Sequence, residues 1–179
     1  IMVLDNNLEK GQTLTSALSL KSDSIFDFDI TPNRGDCFSH LGISRELAII
    51  EDSSFKLDKI KFKSAKFKTS DLVKLNVSDS KLCPRYSCRI IKNIKVQESP
   101  DWLKKALLLI GQKSINNIVD LANYIMFDTG QPLHTFDFDK LNGDIINIRK
   151  ARNNEKILCL NNDLNELADD DIVISDSKG

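Results

Sequence analysis

Apolar residues recur along this chain in two kinds of run, some spaced for helices and some only long enough for strands. The clearest helical spacing begins near Asn117, where Ile118, Val119, Leu121, Ala122, Ile125 and Met126 fall on one broad face and Gly130 follows as a stop. Upstream, Ser99-Pro100-Asp101-Trp102 predicts a helix start, because serine can cap, proline suits the first turn and aspartate complements the positive helix end. That helix runs through Leu107 to Ile110 and stops at Gly111, a residue suited to a left-handed cap. Nearer the start, Asp36 or Ser39 can cap a helix reaching about Ile50, with Leu41, Leu47, Ala48 and Ile50 as its apolar stripe.

The shorter runs predict strands. Ile1 to Leu4 is apolar, and Ile25 to Ile30 alternates apolar and acidic positions as a half-buried strand does. Thr31-Pro32-Asn33-Arg34-Gly35 then breaks the pattern with turn residues. Further strands are expected at Asp71 to Ser78, at Tyr86 to Val96 with a break at Lys92-Asn93, at Ile145 to Lys150, at Glu155 to Leu160 and at Ile172 to Ile174. Leu164 to Leu167 is expected as a turn or short strand. Strands mixed with a few good helices imply an α+β fold. The expected form is mixed β-sheets with two main helices in the later part, preceded by a small α/β unit. Residues 1–52 form a first part, residues 53–81 a lysine-rich linker with edge strands, and residues 82–179 the remainder.

Composition adds little beyond class. The chain has 179 residues, 41% of them apolar and 28% charged, with a formal net charge of −1. No global field therefore marks a nucleic-acid or membrane partner, and no run approaches the ~18 apolar residues that span a bilayer. The chain starts on Ile1 without a basic leader and reads as cut from something longer. Cys37, Cys83, Cys88 and Cys159 are scattered without zinc-site spacing, which predicts reduced thiols and a cytosolic protein. Six lysines between Lys56 and Lys68 alternate partly with Leu57, Ile60, Phe62 and Phe67. They suit an edge strand with a solvated lysine face or, as the weaker reading, a basic wall for RNA.

Chemistry-bearing patterns are sparse. His134, in GQPLHTFDFDK, follows Pro132, which cannot continue a helix and restricts Gln131, so the imidazole is expected on a loop just past a helix end. Such a histidine could orient or deprotonate water near neutral pH. Asn123 lies eleven residues earlier on the apolar helix, where a buried amide needs hydrogen-bond partners. On pattern alone the pair reads more readily as structural than as catalytic. No nucleophile elbow, P-loop, dinucleotide fingerprint or HExxH pattern occurs. Ser39-His40 has no orienting partner in sequence, and Asp169-Asp170-Asp171 reads as a solvated loop before a strand.

Two stretches narrow the possibilities. DITPNRGDCFSHLGISRELA, Asp29 to Ala48, resembles the TPNR-x-DC…G-x-x-RELA segment of bacterial phenylalanyl-tRNA synthetase beta subunits. CPRYSCRIIKNIKV…SPDWLKKALLLIGQKSINNIVDLANYIMFDTGQPLHTFDFDKL, Cys83 to Leu141, resembles the opening of that subunit's B3/4 editing domain. Order and spacing agree, and weaker likeness continues to Asp176.

The resemblance implies a cytoplasmic heterotetramer of two alpha and two beta subunits that attaches phenylalanine to tRNA(Phe). ATP and magnesium would enter through the alpha subunit, and no cofactor or metal through this part of the chain. The beta subunit would bind tRNA and hydrolyse mischarged tyrosyl-tRNA. Residues 1–52 would be the second half of a split domain, and 82–179 the first part of the editing domain. By the same resemblance His134 would hold the ester or the attacking water. Asn123, Ala122 and Gln131 would line the substrate pocket, with Asn123 and His134 facing a shared cavity. Three features depart from the family pattern: Ala122 replaces a common threonine, Cys88 a glycine, and Leu160-Asn161-Asn162 an LDG turn. The family's later AGIMGG loop and glutamate are not in the sequence, so the isolated chain is expected to show little editing. The alternative reading is a non-catalytic RNA- or protein-binding module.

Overall fold

The structure is a computed structural model that describes residues 4, 7–18, 22–57 and 59–179. Ile1 to Val3 of the expected first strand lie outside the described residues. The described elements are α1 (Leu14–Ala17), α2 (His40–Ile50), β1 (Lys74–Val77), α3 (Asp101–Leu109), α4 (Asn117–Thr129), β2 (Ile145–Lys150), β3 (Lys156–Leu158), β4 (Leu164–Glu166) and β5 (Ile172–Ser175). The architecture is α+β, as the patterning predicts. Contacts group the chain into two compact units, residues 1–51 with 98–132 and residues 52–97 with 133–179.

The first unit is helical. α2 starts where Ser39 Oγ accepts from the Gly42 amide at 3.0 Å, so Ser39, of the two expected caps, does the capping. α4 starts at Asn116, whose side-chain oxygen accepts from the amides of Ile118 and Val119. It ends at Gly130 with φ +78°, a left-handed conformation that favours glycine, and the Gly130 N–H donates to Met126 O at 2.8 Å. α3 buries Leu103 and Leu107, whose removal from water is worth roughly 1.5–3 kcal/mol each. Trp102 meets Tyr124 edge to face at 5.5 Å, linking α3 with α4.

Two local expectations change here. Ser99 lies one residue too early to cap α3, because Pro100 occupies the cap position. The buried Ser99 hydroxyl instead donates to Asp120. Ile25 to Ile30 forms no strand. Ile25, Phe26 and Phe28 remain exposed, because alternation yields a strand only where a partner strand and a core receive it.

The second unit is built on a mixed sheet of order β1-β2-β5, with β1 parallel and β5 antiparallel to β2. Register pairs Val77 with Ile148 and Ile148 with Ile174. Ile146 and Ile148, two apart on β2, face one side and form a buried core with Val73. Tyr86, Cys88 and Ile90 close over that core, while Arg85, Ser87, Arg89 and Ile91 face outward. A two-residue alternation is therefore present over 86–91 without the strand expected for Tyr86 to Val96, and the expected break is real, with Asn93 at φ +60°. Cys88, where the motif it resembles would have glycine, adds a side chain to this core. β3 and β4 pair as a hairpin. Its turn places Asn162 at φ +66°, which asparagine tolerates better than most residues; the LDG turn it resembles would have glycine there.

Candidate functional site

In the first unit the TPNR segment folds around one guanidinium. Arg34 donates to Asp36 at 2.9 and 3.0 Å, to Glu46 on α2 at 2.6 Å, and to Cys37 Sγ at 3.2 Å. The hydrogen bonds from Arg34 hold the Asp36 carboxyl down at about 2, while burial pushes the Cys37 thiol up. Asp36, Cys37 and Glu46 are close enough together to resemble a metal-ligand set. Arg34 already supplies the positive charge there and takes the oxygens a metal would need. The loop lies against α2 so tightly that a Cβ on Gly42 would sit 1.9 Å from Asp36 O, which makes a side chain at 42 impossible without moving backbone.

Two further anchors set α4. His40 Nδ1 lies 3.1 Å from Phe127 O, a last-turn carbonyl with no intrahelical partner, so a proton on Nδ1 completes a bond between α2 and the end of α4. Asp120 is fully buried. Burial opposes its charge, but donation from Ser114 Oγ and Ser99 Oγ at 2.5 Å each, and from the Ile115 amide at 2.8 Å, outweighs it and lowers the pKa. Neither role was legible in sequence. The signals that could have found them are a histidine at the first position of a helix and an aspartate facing inward from an apolar helix.

Four residues carry the sequence-derived site. Ala122 and Asn123 sit half-buried on consecutive positions of α4. Gln131 follows the Gly130 cap and borders a cleft of about 400 Å³ with Thr129, Gly130 and the loop Gly35, Asp36, Phe38, Ser39. Sequence reasoning did not connect Gln131 with that loop. The connection comes from Gly130 passing so near Ser39 that a Cβ on it would lie 3.4 Å from the serine Cβ.

His134 belongs to the second unit, on the exposed segment that leads to the turn at Phe138–Lys140. Its loop position is the one Pro132 predicts. The ring stacks on Phe136 at 6.4 Å with 24° between planes. Phe136 in turn borders a cavity of about 210 Å³ walled by Leu141, Ile146 and Ile174, with Ser175 and Asp176 at its polar side. The Ser175 hydroxyl is buried and has no hydrogen-bond partner among the described residues. Asp176 is pulled down to about 2, first by the Asn142 amide, then by the Asn142 side chain and the Lys178 amide. Across the sheet Arg149 forms a two-pronged pair with Glu155 at 2.8 Å, which holds the glutamate at about 2.

Comparison with known proteins places these residues in a family. Residues 82–179 match the model of the B3/4 domain, a span that includes Ala122, Asn123, Gln131 and His134. The chain is 42% identical over 178 residues to the phenylalanine–tRNA ligase beta subunit of Fusobacterium nucleatum, covering 99% of this chain and 22% of that protein. It is 36% identical over 179 residues to the beta subunit of Syntrophotalea carbinolica, covering 100% and 22%, and 35% identical over 175 residues to that of Bacillus subtilis, covering 98% and 22%. The chain thus spans about 22% of the length of the curated relatives it matches. A TPNR loop locked on α2, a QPLH loop after a glycine-capped helix, and likeness along almost every residue converge: the chain belongs to the phenylalanine–tRNA ligase beta subunit family, with a B3/4 domain sequence from residue 82 onward.

Proposed function

We propose that this chain is the part of a phenylalanine–tRNA ligase beta subunit that contributes to tRNA binding and to hydrolytic editing of tyrosyl-tRNA(Phe). The observation that supports this most directly is the B3/4 match over 82–179 with all four candidate residues inside it. In this reading residues 1–52 are the second half of a split domain, 53–81 join it to the editing domain, and 82–179 begin that domain. The intact enzyme attaches phenylalanine to tRNA in the cytoplasm as a heterotetramer of two alpha and two beta subunits. ATP and magnesium act at the alpha subunit.

His134 holds the aminoacyl ester or the attacking water through a ring nitrogen, as a positioned polar group or weak base. Its exposure on a loop suits a group that must reach a large substrate. Asn123 hydrogen-bonds the substrate from α4, with Ala122 and Gln131 shaping the same pocket. A site that pairs the phenol hydroxyl of tyrosine rejects phenylalanine strongly, because the analogue would leave buried polar groups unpaired. In the intact subunit, His134→Ala is expected to slow tyrosyl-tRNA hydrolysis by about 10²-fold, the low end for a positioned proton-transfer group. Phenylalanine charging should stay nearly intact. Hydrolysis at the parent rate removes His134 from the site.

A further inference from the structure

The near-zero net charge conceals a strong segregation. Segments 55–68 and 83–96 hold ten of the chain's 25 lysines and arginines but one of its 26 carboxylates, Asp58. The structure brings the two segments side by side within the second unit. Arg89 lies over the Phe62 ring at 4.3 Å, and Lys92 over the Phe67 ring at 4.4 Å. Lys59, Lys61, Lys63, Lys66, Arg85 and Arg89 are all exposed. None of them is paired with a described carboxylate.

We propose that this face binds the phosphate backbone of RNA. The bland alternative has lysines guarding a sheet edge. It loses its premise, because residues 59–68 join no sheet among the described residues. Phe62 is 61% exposed between two of these lysines and under a guanidinium. It offers an unpaired base a stacking platform already flanked by cations. The other residues carry a surplus of negative charge, so a polyanion is directed to this face and away from the rest. The inference rests on the tRNA-binding part of the proposed function, to which it assigns a surface, and uses none of the editing residues.

The test measures fluorescence anisotropy of a labelled tRNA transcript with the full 179-residue chain over a series of KCl concentrations. For the parent chain, log affinity should fall linearly with log salt. Replacing Lys59, Lys61 and Lys63 together by glutamine should weaken binding and reduce the magnitude of that slope by about 2 to 3. Arg89→Gln should reduce it by about 1. An equal loss of charge elsewhere, Lys105→Gln with Lys113→Gln and Lys178→Gln, should leave the slope in place. The labelled transcript carries no aminoacyl ester, so this readout is independent of ester hydrolysis and separates the inference from the editing one. Equal effects of the two triple variants, or an unchanged slope in the first, overturn the proposal. So does displacement of the RNA by a polyglutamate peptide at matching charge concentration, which would mark the face as a dock for acidic protein. Circular dichroism of each variant confirms that its fold is retained.

Discussion

The two units reach order by different routes. In the first, a few polar groups do what a large core does elsewhere. Arg34 gathers the TPNR loop onto α2, His40 closes the end of α4, and Asp120 collects two hydroxyls and an amide in a fully buried position. In the second, a mixed sheet pairs residues about seventy positions apart, Lys74 with Ile145 and Val77 with Ile148, and a small aliphatic core forms on one face. Glu155 and Asp176 then pin the sheet's surroundings. The first unit depends on satisfying donors at chosen points, the second on strand register. A fault in the first should be sharp and local, and one in the second should spread along the ladder.

The largest expected effect tests that contrast directly. Asp120→Ala leaves Ser99, Ser114 and the Ile115 amide without their acceptor and should cost about 3 kcal/mol. Hydrogen exchange should place the lost protection around residues 99–120. Ile148→Ala, a cavity in the sheet core, should cost a similar 2–5 kcal/mol, with losses along β1, β2 and β5 together. Protection lost evenly over both units in each variant would dissolve the distinction.

A smaller effect concerns acid. The folded state holds Glu155 and Asp176 at about 2, below their ordinary values of 4.5 and 3.8. Depressed carboxyls add stability above the unfolded pKa, and that stability is lost as pH falls through the folded pKa. The second unit should therefore weaken between about pH 4.5 and 2. Both side chains are partly solvated, so solvent screens much of the effect. Glu155→Gln with Asp176→Asn should lower stability at neutral pH and flatten this acid limb in urea melts. An acid limb as steep as the parent's would show that other groups govern it.

The smallest effect should come from His134→Ala. The imidazole is exposed and stacks on the Phe136 ring, so unfolding free energy should change by less than about 0.5 kcal/mol. A larger destabilisation would make the residue a structural member of the second unit and weaken the case for its use in catalysis.

Much of the first unit was readable because its signals are local. Ser39 and Gly130 sit at helix ends where short-range hydrogen bonding and backbone sterics act alone, and the period of α4 needs no partner to be recognised. The second unit was readable only in part. Its strand segments stand out, yet 86–91 has the alternation of a strand without the ladder; in the first unit Ile25 to Ile30 likewise has it without a core. For the candidate site, Pro132 placed His134 on a loop, while the family resemblance supplied the choice of Asn123, Ala122 and Gln131.

Sequence by itself determined α2, α3 and α4, the glycine stop of α4, the loop that carries His134 and the family, since each rests on neighbours within a few residues or on a motif read in order. Tertiary structure alone decided that Ser99 serves Asp120 and does not cap α3. It also decided that Arg34 fills what resembles a metal site, and that the lysines of 59–68 lie beside Arg89 and Lys92. Those outcomes depend on groups distant in the chain competing for the same donor, acceptor or surface, and only the folded geometry settles which of them meet.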